Sequence, residues 1–363
     1  MRVAEVSTPA VVVDLDVLER NLDRMASYCT SHRIGLRPHT KTHKTLEVAR
    51  MQLERGTRGL TVAKVGEAEV MADSGTEQIL VAHPIVGEEK IRRLAALASR
   101  LDVLVSLDSL QAAKGLSQVA QEAGCTIGVL VEFDSGSHRC GVSAGDSCAE
   151  LGKAICRLKG VQVRGLMTYF GSVWGDERQR GEEIARLTAD VERTITAFRR
   201  AGLPLEIVSA GSTPAAEMSH QVPGITEIRP GTYVYNDLNT FYQGLCTLED
   251  CAVRVMTTVV STCVSGQVIV DAGSKVFSSD QLSSGPKRGY GRILDVEGAG
   301  LCKLNEEHGF VEASDYGAFS VGQVLSVIPN HVCTCINMHD EVYVSRRGEI
   351  TGTWKVAARG KVR

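Results

Sequence analysis

The feature that most constrains this chain is an alternation running through its first two-thirds. Between residue 9 and about residue 240, short runs rich in Val, Ile and Leu take turns with longer segments whose apolar residues recur at helical spacing. The short runs read as strands at 9–15, 34–37, 59–63, 79–82, 102–105, 127–132, 163–169, 206–209 and 226–228. The periodic segments read as helices at 17–32, 46–54, 65–72, 90–99, 109–122, 144–158 and 184–201. Strands separated by helices have the chain length to cross over and pair in parallel, and no early hairpin breaks the pattern. About eight such units favour a closed (β/α)8 barrel over an open sheet. No Gly-x-Gly-x-x-Gly follows a strand, so nothing supports a Rossmann-type dinucleotide site.

After Phe241 the grammar changes. Runs at 252–264, 267–271, 324–328, 341–345 and 349–356 are β-rich and broken by Gly, Ser and Asn turns, and helical periodicity nearly vanishes. The chain therefore divides into a barrel at 8–240 and a second, mostly β domain at 241–363, with the boundary within 238–250. A chain of 363 residues can bury cores for both. Hydrophobic residues at 43% and charged residues at 23% exclude disorder, and a net charge of −3 excludes a strongly basic nucleic-acid binder. No run approaches the roughly 18 apolar residues of a membrane span. The eleven cysteines are odd in number and irregularly spaced, and no apolar leader precedes the first structured segment at Thr8. Reduced thiols in a cytoplasmic protein are expected, most of them small core residues.

Leu36-Arg37-Pro38-His39-Thr40-Lys41-Thr42-His43-Lys44 packs two lysines, two histidines and an arginine into nine residues. A lysine amine becomes a nucleophile at neutral pH only where burial or neighbouring cations lower its pKa, and Arg37, His39, His43 and Lys44 can supply such neighbours. Lys41 is the candidate Schiff-base lysine, placed in the loop after the strand at 34–37, where a barrel carries its chemistry. A solvated basic turn is the alternative.

Arg37-Pro38-His39-Thr40-Lys41-Thr42-His43-Lys44 follows Thr8-Pro9-Ala10-Val11-Val12-Val13-Asp14-Leu15 by some thirty residues. Together they resemble the pyridoxal-phosphate lysine motif of the D-threonine aldolase and D-serine dehydratase family, fold-type III enzymes with an alanine-racemase-like barrel. The likeness runs from about Thr8 to Arg363. It implies pyridoxal 5'-phosphate on Lys41, a homodimer, and residues 1–7 joining the β domain.

The remaining candidates divide between cofactor and metal. Ala210-Gly211-Ser212-Thr213-Pro214 can cradle a phosphate, because small residues let backbone N–H groups approach and two hydroxyls add donors; an ordinary turn is the alternative. The resemblance implies the cradle at Gly211, Ser212 and Thr213, with Gly231 and Tyr233 beside it from Ile228-Arg229-Pro230-Gly231-Thr232-Tyr233. Arg139, in Ser137-His138-Arg139-Cys140, and Tyr169 are expected around the cofactor ring; a cation at the pyridine nitrogen would keep it unprotonated and make a weaker electron sink. His331 and Cys333, read as two apart in a strand, project onto one face and suit a divalent metal with positions left for water and substrate; a core pair is the alternative. The resemblance implies a divalent metal there, zinc, manganese or magnesium; Cys335 and His339 are near enough to compete as ligands but are the lesser alternative. His308 also matches a family segment, without a derivable role.

These parts suit a lyase acting on a D-β-hydroxy amino acid. Retro-aldol cleavage would give glycine and an aldehyde, as in D-threonine aldolase; loss of hydroxide would give a keto acid and ammonia, as in D-serine or D-3-hydroxyaspartate dehydratase. Asn337-Met338-His339-Asp340 and Ala357-Ala358-Arg359-Gly360 resemble the aldolase branch, as does the absence of tryptophan at Ser274. His-x-Cys and Gly-Ser-Thr-Pro resemble the dehydratase branch, and Phe170-Gly171-Ser172-Val173-Trp174-Gly175 lacks a histidine some aldolases carry. Aldolase chemistry is the expectation and dehydration the runner-up. An amino-acid racemase would share the lysine without needing a metal.

Overall fold

The computed structural model describes residues 1–283, 285 and 289–363. It contains two compact units. Met25–Lys41, Leu46–Gly231 and Lys361–Arg363 form the barrel unit; Met1–Arg24, Thr42–Thr45 and Thr232–Gly360 form the β unit.

The first strand, β1 (Ala10–Asp14), belongs to the β unit. The barrel unit contains β2 (Gly35–Leu36), β3 (Leu60–Val62), β4 (Gln78–Val81), β5 (Asp102–Leu107), β6 (Ile127–Asp134), β7 (Val142–Ser143), β8 (Val161–Met167), β9 (Ile207–Ala210) and β10 (Glu227–Ile228). Eight of these pair in parallel in the order β2-β10-β9-β8-β6-β5-β4-β3, while β7 pairs only with β6. The two ends of that path meet at a parallel bridge between His39 and Thr61. Backbone bonds from Arg58 N to Leu36 O (2.8 Å), Thr61 N to Pro38 O (2.9 Å) and Thr40 N to Thr61 O (2.9 Å) complete the seam. The result is the expected (β/α)8 barrel.

Strand residues alternate between its inside and its helix-covered outside. Leu80, Leu104, Leu130, Met167 and Ile207, from five successive strands of the sheet, form one buried apolar cluster. Two residues further along β5, β6 and β9, the same face carries Ser106, Glu132 and Ser209, all buried. The interior thus turns from apolar to polar toward the C-terminal ends of the strands.

That polar layer is knitted by Arg37 and Glu227, which are 1% and 0% exposed. The Arg37 Nε and Nη2 donate to the two oxygens of Glu227, both at 2.8 Å. Ser209 Oγ donates to Glu227 Oε1 at 2.6 Å, and Arg229 donates to Ser209 Oγ at 2.6 Å and to Thr168 O at 2.8 Å. One fork therefore joins β2 to β10 and reaches β9 and the end of β8.

The β unit adds β11 (Val253–Ser261), β12 (Val268–Val270), β13 (Gly291–Ile293), β14 (Gly300–Leu304), β15 (Gly309–Glu312), β16 (Val324–Pro329), β17 (Glu341–Arg346) and β18 (Glu349–Lys355). Strands β11, β12, β15, β14, β13 and β16 close into an antiparallel ring, and β1, β17 and β18 extend the sheet from β11.

Two differences from the sequence reading have physical causes. The run at 9–15, counted among the barrel strands, is β1, paired antiparallel to β11 and parallel to β17. Three consecutive buried valines suit any strand covered on both faces, so the pattern cannot name the sheet. Strands β13 to β15 went unread because they are short, each starts at a glycine, and β14 carries exposed Cys302 and Lys303. The chain passes from barrel unit to β unit between Gly231 and Thr232.

Burial opposes the Glu227 charge, but the charge and hydrogen bonds of Arg37, then Ser209 and Arg229, hold its pKa below the usual 4.5. A depressed folded pKa contributes stability that is present above the unfolded value and lost as pH falls through the folded one. Glu227→Gln should therefore cost about 3–5 kcal/mol at pH 7, by leaving Arg37 buried without its counter-charge. Urea unfolding at pH 7 and in the acid range below 4.5 should show the wild type losing its advantage over the variant as pH falls.

Candidate active site

Parallel strands end on a common rim, and most of the expected cofactor residues follow a strand end of the barrel unit. Lys41 lies just past the His39–Thr61 bridge and is exposed. Its segment is fastened on both sides: Arg37 N donates to Ile228 O and His39 N to Pro230 O, both 2.9 Å, while Thr61 Oγ1 donates to Arg37 O at 2.9 Å. The Lys41 N–H donates to His39 Nδ1 at 3.3 Å.

The expected ring of cations around Lys41 needs correction. Arg37 is buried and its charge is taken by Glu227, so it shapes the seam instead of tuning the amine. Lys44 belongs to the β unit, where its Nζ donates to Asn337 Oδ1 at 2.7 Å and Ala358 O at 3.4 Å. His43, also there, accepts the Thr45 N–H on Nδ1 at 3.2 Å.

Gly211 follows β9 with φ at +94°, and an added Cβ would stand 3.4 Å from the Ile228 side chain. That left-handed turn favours glycine. The Ser212 hydroxyl donates to Phe170 O at 2.7 Å and accepts from Ala215 N at 3.3 Å. With that proton directed at Phe170, backbone N–H groups and the Thr213 hydroxyl are the donors left for a phosphate. Thr213 Oγ1 accepts the Gly231 N–H at 3.2 Å, so the turn after β9 and the one after β10 are tied together.

Arg139, exposed beyond β6, holds its guanidinium carbon 4.4 Å from the centroid of the Tyr169 ring, in the segment after β8. Beneath them, burial pushes the Glu132 carboxyl above the usual range, with Arg229, Ser106 and Arg139 opposing it. Lys64 and His83, after β3 and β4, were not picked out from sequence. The Lys64 Nζ donates to His83 Nε2 at 3.3 Å. Partial burial, then the charges of Lys64, Lys90 and Arg139, keep that imidazole below its ordinary pKa. The available signal was positional: both directly follow barrel strands.

These residues fit pyridoxal phosphate. The rim offers a lysine amine, a glycine turn that a Cβ would crowd, and a cation over an aromatic ring. Tyr233 is buried in the 3-10 turn Thr232–Val234 of the β unit.

The metal candidates lie in the β unit, but not in a strand. Strand β16 ends at Pro329, His331 is the N-cap of the short helix Val332–Ile336, and Cys333 is in that helix's first turn. The two side chains nevertheless meet, because the turn at the cap brings them together where a pleated strand was expected to. Asp237 Oδ2 accepts the Val332 N–H between them at 3.0 Å. His331 Nδ1 lies 2.7 Å from Asp280 Oδ2, and Cys333 Sγ lies 3.2 Å from Thr42 Oγ1.

Burial opposes the imidazolium of His331, yet hydrogen bonding to Cys333 and its charge, then Asp237 and Asp280, raise its pKa to about 10. An imidazole and a sulfur side by side are donor types that a divalent ion accepts, which fits a metal with two protein ligands and open positions. No group of three His, Cys, Asp or Glu side chains suited to a metal is present among the described residues.

The competing ligands are otherwise engaged. Cys335, buried and pushed up to about 12, donates to Val276 O at 3.3 Å, as does His339 Nε2 at 3.1 Å. His308 is exposed in the turn between β14 and β15.

Residues 13–239 match the family model described as the alanine racemase N-terminal domain, and residues 252–345 match a putative serine dehydratase domain. The chain is 35% identical to D-threo-3-hydroxyaspartate dehydratase of Delftia sp. (strain HT23) over 346 residues, covering 90% of each. The crystal structure of D-threonine aldolase from Filomicrobium marinum matches with a TM-score of 0.93 at 33% identity, over 100% of this chain and 98% of that one. A cysteine-to-alanine mutant of D-threo-3-hydroxyaspartate dehydratase in the metal-free form matches with a TM-score of 0.90 at 31% identity, over 98% of both chains. With both of its domains matched and near-complete coverage by such relatives, the chain belongs to the alanine-racemase-like family of lyases that includes the D-threonine aldolases and D-serine dehydratases.

Proposed function

We propose that this protein is a pyridoxal-phosphate- and divalent-metal-dependent lyase of D-β-hydroxy amino acids, with retro-aldol cleavage of D-threonine-like substrates as its reaction. One observation carries the choice of cleavage over elimination. The two segments that resemble the aldolase branch form a single bonded assembly around the lysine motif: Lys44 Nζ reaches both Asn337 and Ala358, and Arg359 pairs with Asp340 at 2.7 Å. Elimination, as in the dehydratases, is the second reading, favoured by His331-x-Cys333 and by the 35% identity to a dehydratase.

Lys41 would hold the cofactor, Gly211, Ser212, Thr213 and Gly231 its phosphate, and Arg139, Tyr169 and Tyr233 its surroundings, while His331 and Cys333 would hold the metal. The bound groups supply an electron sink for charge developing at Cα and a Lewis acid for the β-hydroxyl. The chain's own part is to choose which proton moves. Cleavage needs the substrate hydroxyl to lose its proton, whereas elimination needs the Lys41 amine to remove the proton at Cα. Arg139, held over the Tyr169 ring, would offer the cofactor ring a cation in place of a carboxylate, which suits a weak electron sink. A non-catalytic pyridoxal-phosphate carrier would share the barrel but normally lacks a second domain, so the β unit argues against that reading. Free cysteines support a reducing, cytoplasmic setting, and no described helix is long and apolar enough to cross a membrane. A homodimer is the expected assembly.

Incubated with D-threonine, the purified holoenzyme should release glycine and acetaldehyde in equal amounts; pyruvate from D-serine, with no acetaldehyde from D-threonine, would transfer the assignment to the dehydratases. Lys41→Ala should lower turnover by about 10³-fold or more. Exhaustive treatment with a chelator should abolish cleavage, and a divalent ion should restore it. Racemisation of amino acids that survives the chelator would instead support the racemase reading.

A further inference from the structure

We propose that Asp280 is the positioning residue of the metal site: it fixes the ring orientation and tautomer of His331, so that Nε2 is presented to the ion. The inference rests on the reading of His331 and Cys333 as metal ligands.

Asp280 stands 51 residues before His331, and its Oδ2 meets two groups of the ligand segment, His331 Nδ1 at 2.7 Å and the Thr334 hydroxyl at 2.9 Å. A carboxylate accepts on that oxygen, so the imidazole places its proton on Nδ1 and keeps the Nε2 lone pair for a metal. The loop bearing Asp280 is itself held in place. Its N–H donates to Ser278 Oγ at 3.3 Å, and its carbonyl accepts from Asn330 Nδ2 at 3.2 Å. Ser278 adopts φ +66° without being glycine, and its hydroxyl is bonded to that of Thr334 at 3.1 Å. Asn330 also donates to Gly289 O at 2.8 Å. Residues 330, 331 and 334 thus all bind the one loop.

Two carboxylates share the work. Asp237 is buried and accepts the Val332 N–H, so it sets the backbone between the ligands. Asp280 sets the ring. It is not a third ligand on this account, because no three-ligand cluster is present among the described residues.

The metal-free protein titrated with Co²⁺ tests this directly, since absorption reports both affinity and the thiolate-to-cobalt charge-transfer band of Cys333. Wild type should bind with that band, and Cys333→Ala should lose it. Asp280→Ala should weaken binding about 10- to 100-fold while keeping the band at its wavelength. Asp280→Asn, isosteric but uncharged, should fall between the two, and decides the matter if the alanine variant does not fold. Thr334→Val should stay within about threefold of wild type, since the carboxylate–imidazole bond remains. A wild type without the band would overturn the metal assignment itself. A wild type with the band and Asp280 variants of unchanged affinity would overturn only the role of Asp280.

Discussion

The fork between Arg37 and Glu227 is the interaction on which the barrel's chemistry depends. A closed barrel needs its last strand to meet its first, and here β10 and β2 share only two residue pairs. So short a ladder offers little by itself. A buried, bidentate guanidinium–carboxylate pair adds directional hydrogen bonds where backbone pairing is scarce, and Ser209 and Arg229 satisfy the oxygens and extend the network. Immediately downstream, the chain is bonded on one side to Pro230 and on the other to Thr61, and then reaches Lys41. The lysine is placed by the closure of the barrel.

Charge serves different ends in the two units. In the barrel interior, Arg37, Glu227, Arg229 and Glu132 are buried in balanced numbers, and burial lowers even Arg229 to about 10, a value at which it stays charged at neutral pH. Their task is to fix strands. In the β unit, the imidazole of His331 and the sulfur of Cys333 are set among carboxylates that favour a positive charge between them. That donor pair supports the divalent ion proposed there.

Much of this was legible in the sequence because the physics was local. Strand–helix alternation reports parallel pairing, and it predicted the barrel; the position of Lys41 after an early strand followed from the same pattern. What was illegible depended on distant partners. The charge on Arg37 reads as part of a basic cluster until Glu227, 190 residues away, is seen to neutralise it. The valines of β1 announce burial on both faces but not which sheet receives them. His331 and Cys333 do not share a strand face as the spacing suggests, since nothing in Pro329-Asn330-His331-Val332-Cys333 signals that a strand stops and a helical turn begins. Asp280, in a Ser-rich loop, has no periodicity to mark it, and only its bond to His331 gives it meaning. Ser212 looked like a donor by type, and geometry alone shows its proton spent on Phe170.

The central claim is that barrel closure delivers one particular amine to the cofactor. Borohydride reduction of the pyridoxal-phosphate-loaded protein, followed by peptide mapping, tests it most directly. The account predicts a pyridoxyl group on Lys41 and on no other lysine. A pyridoxyl group on Lys64 or elsewhere on the chain, with Lys41 unmodified, would contradict it.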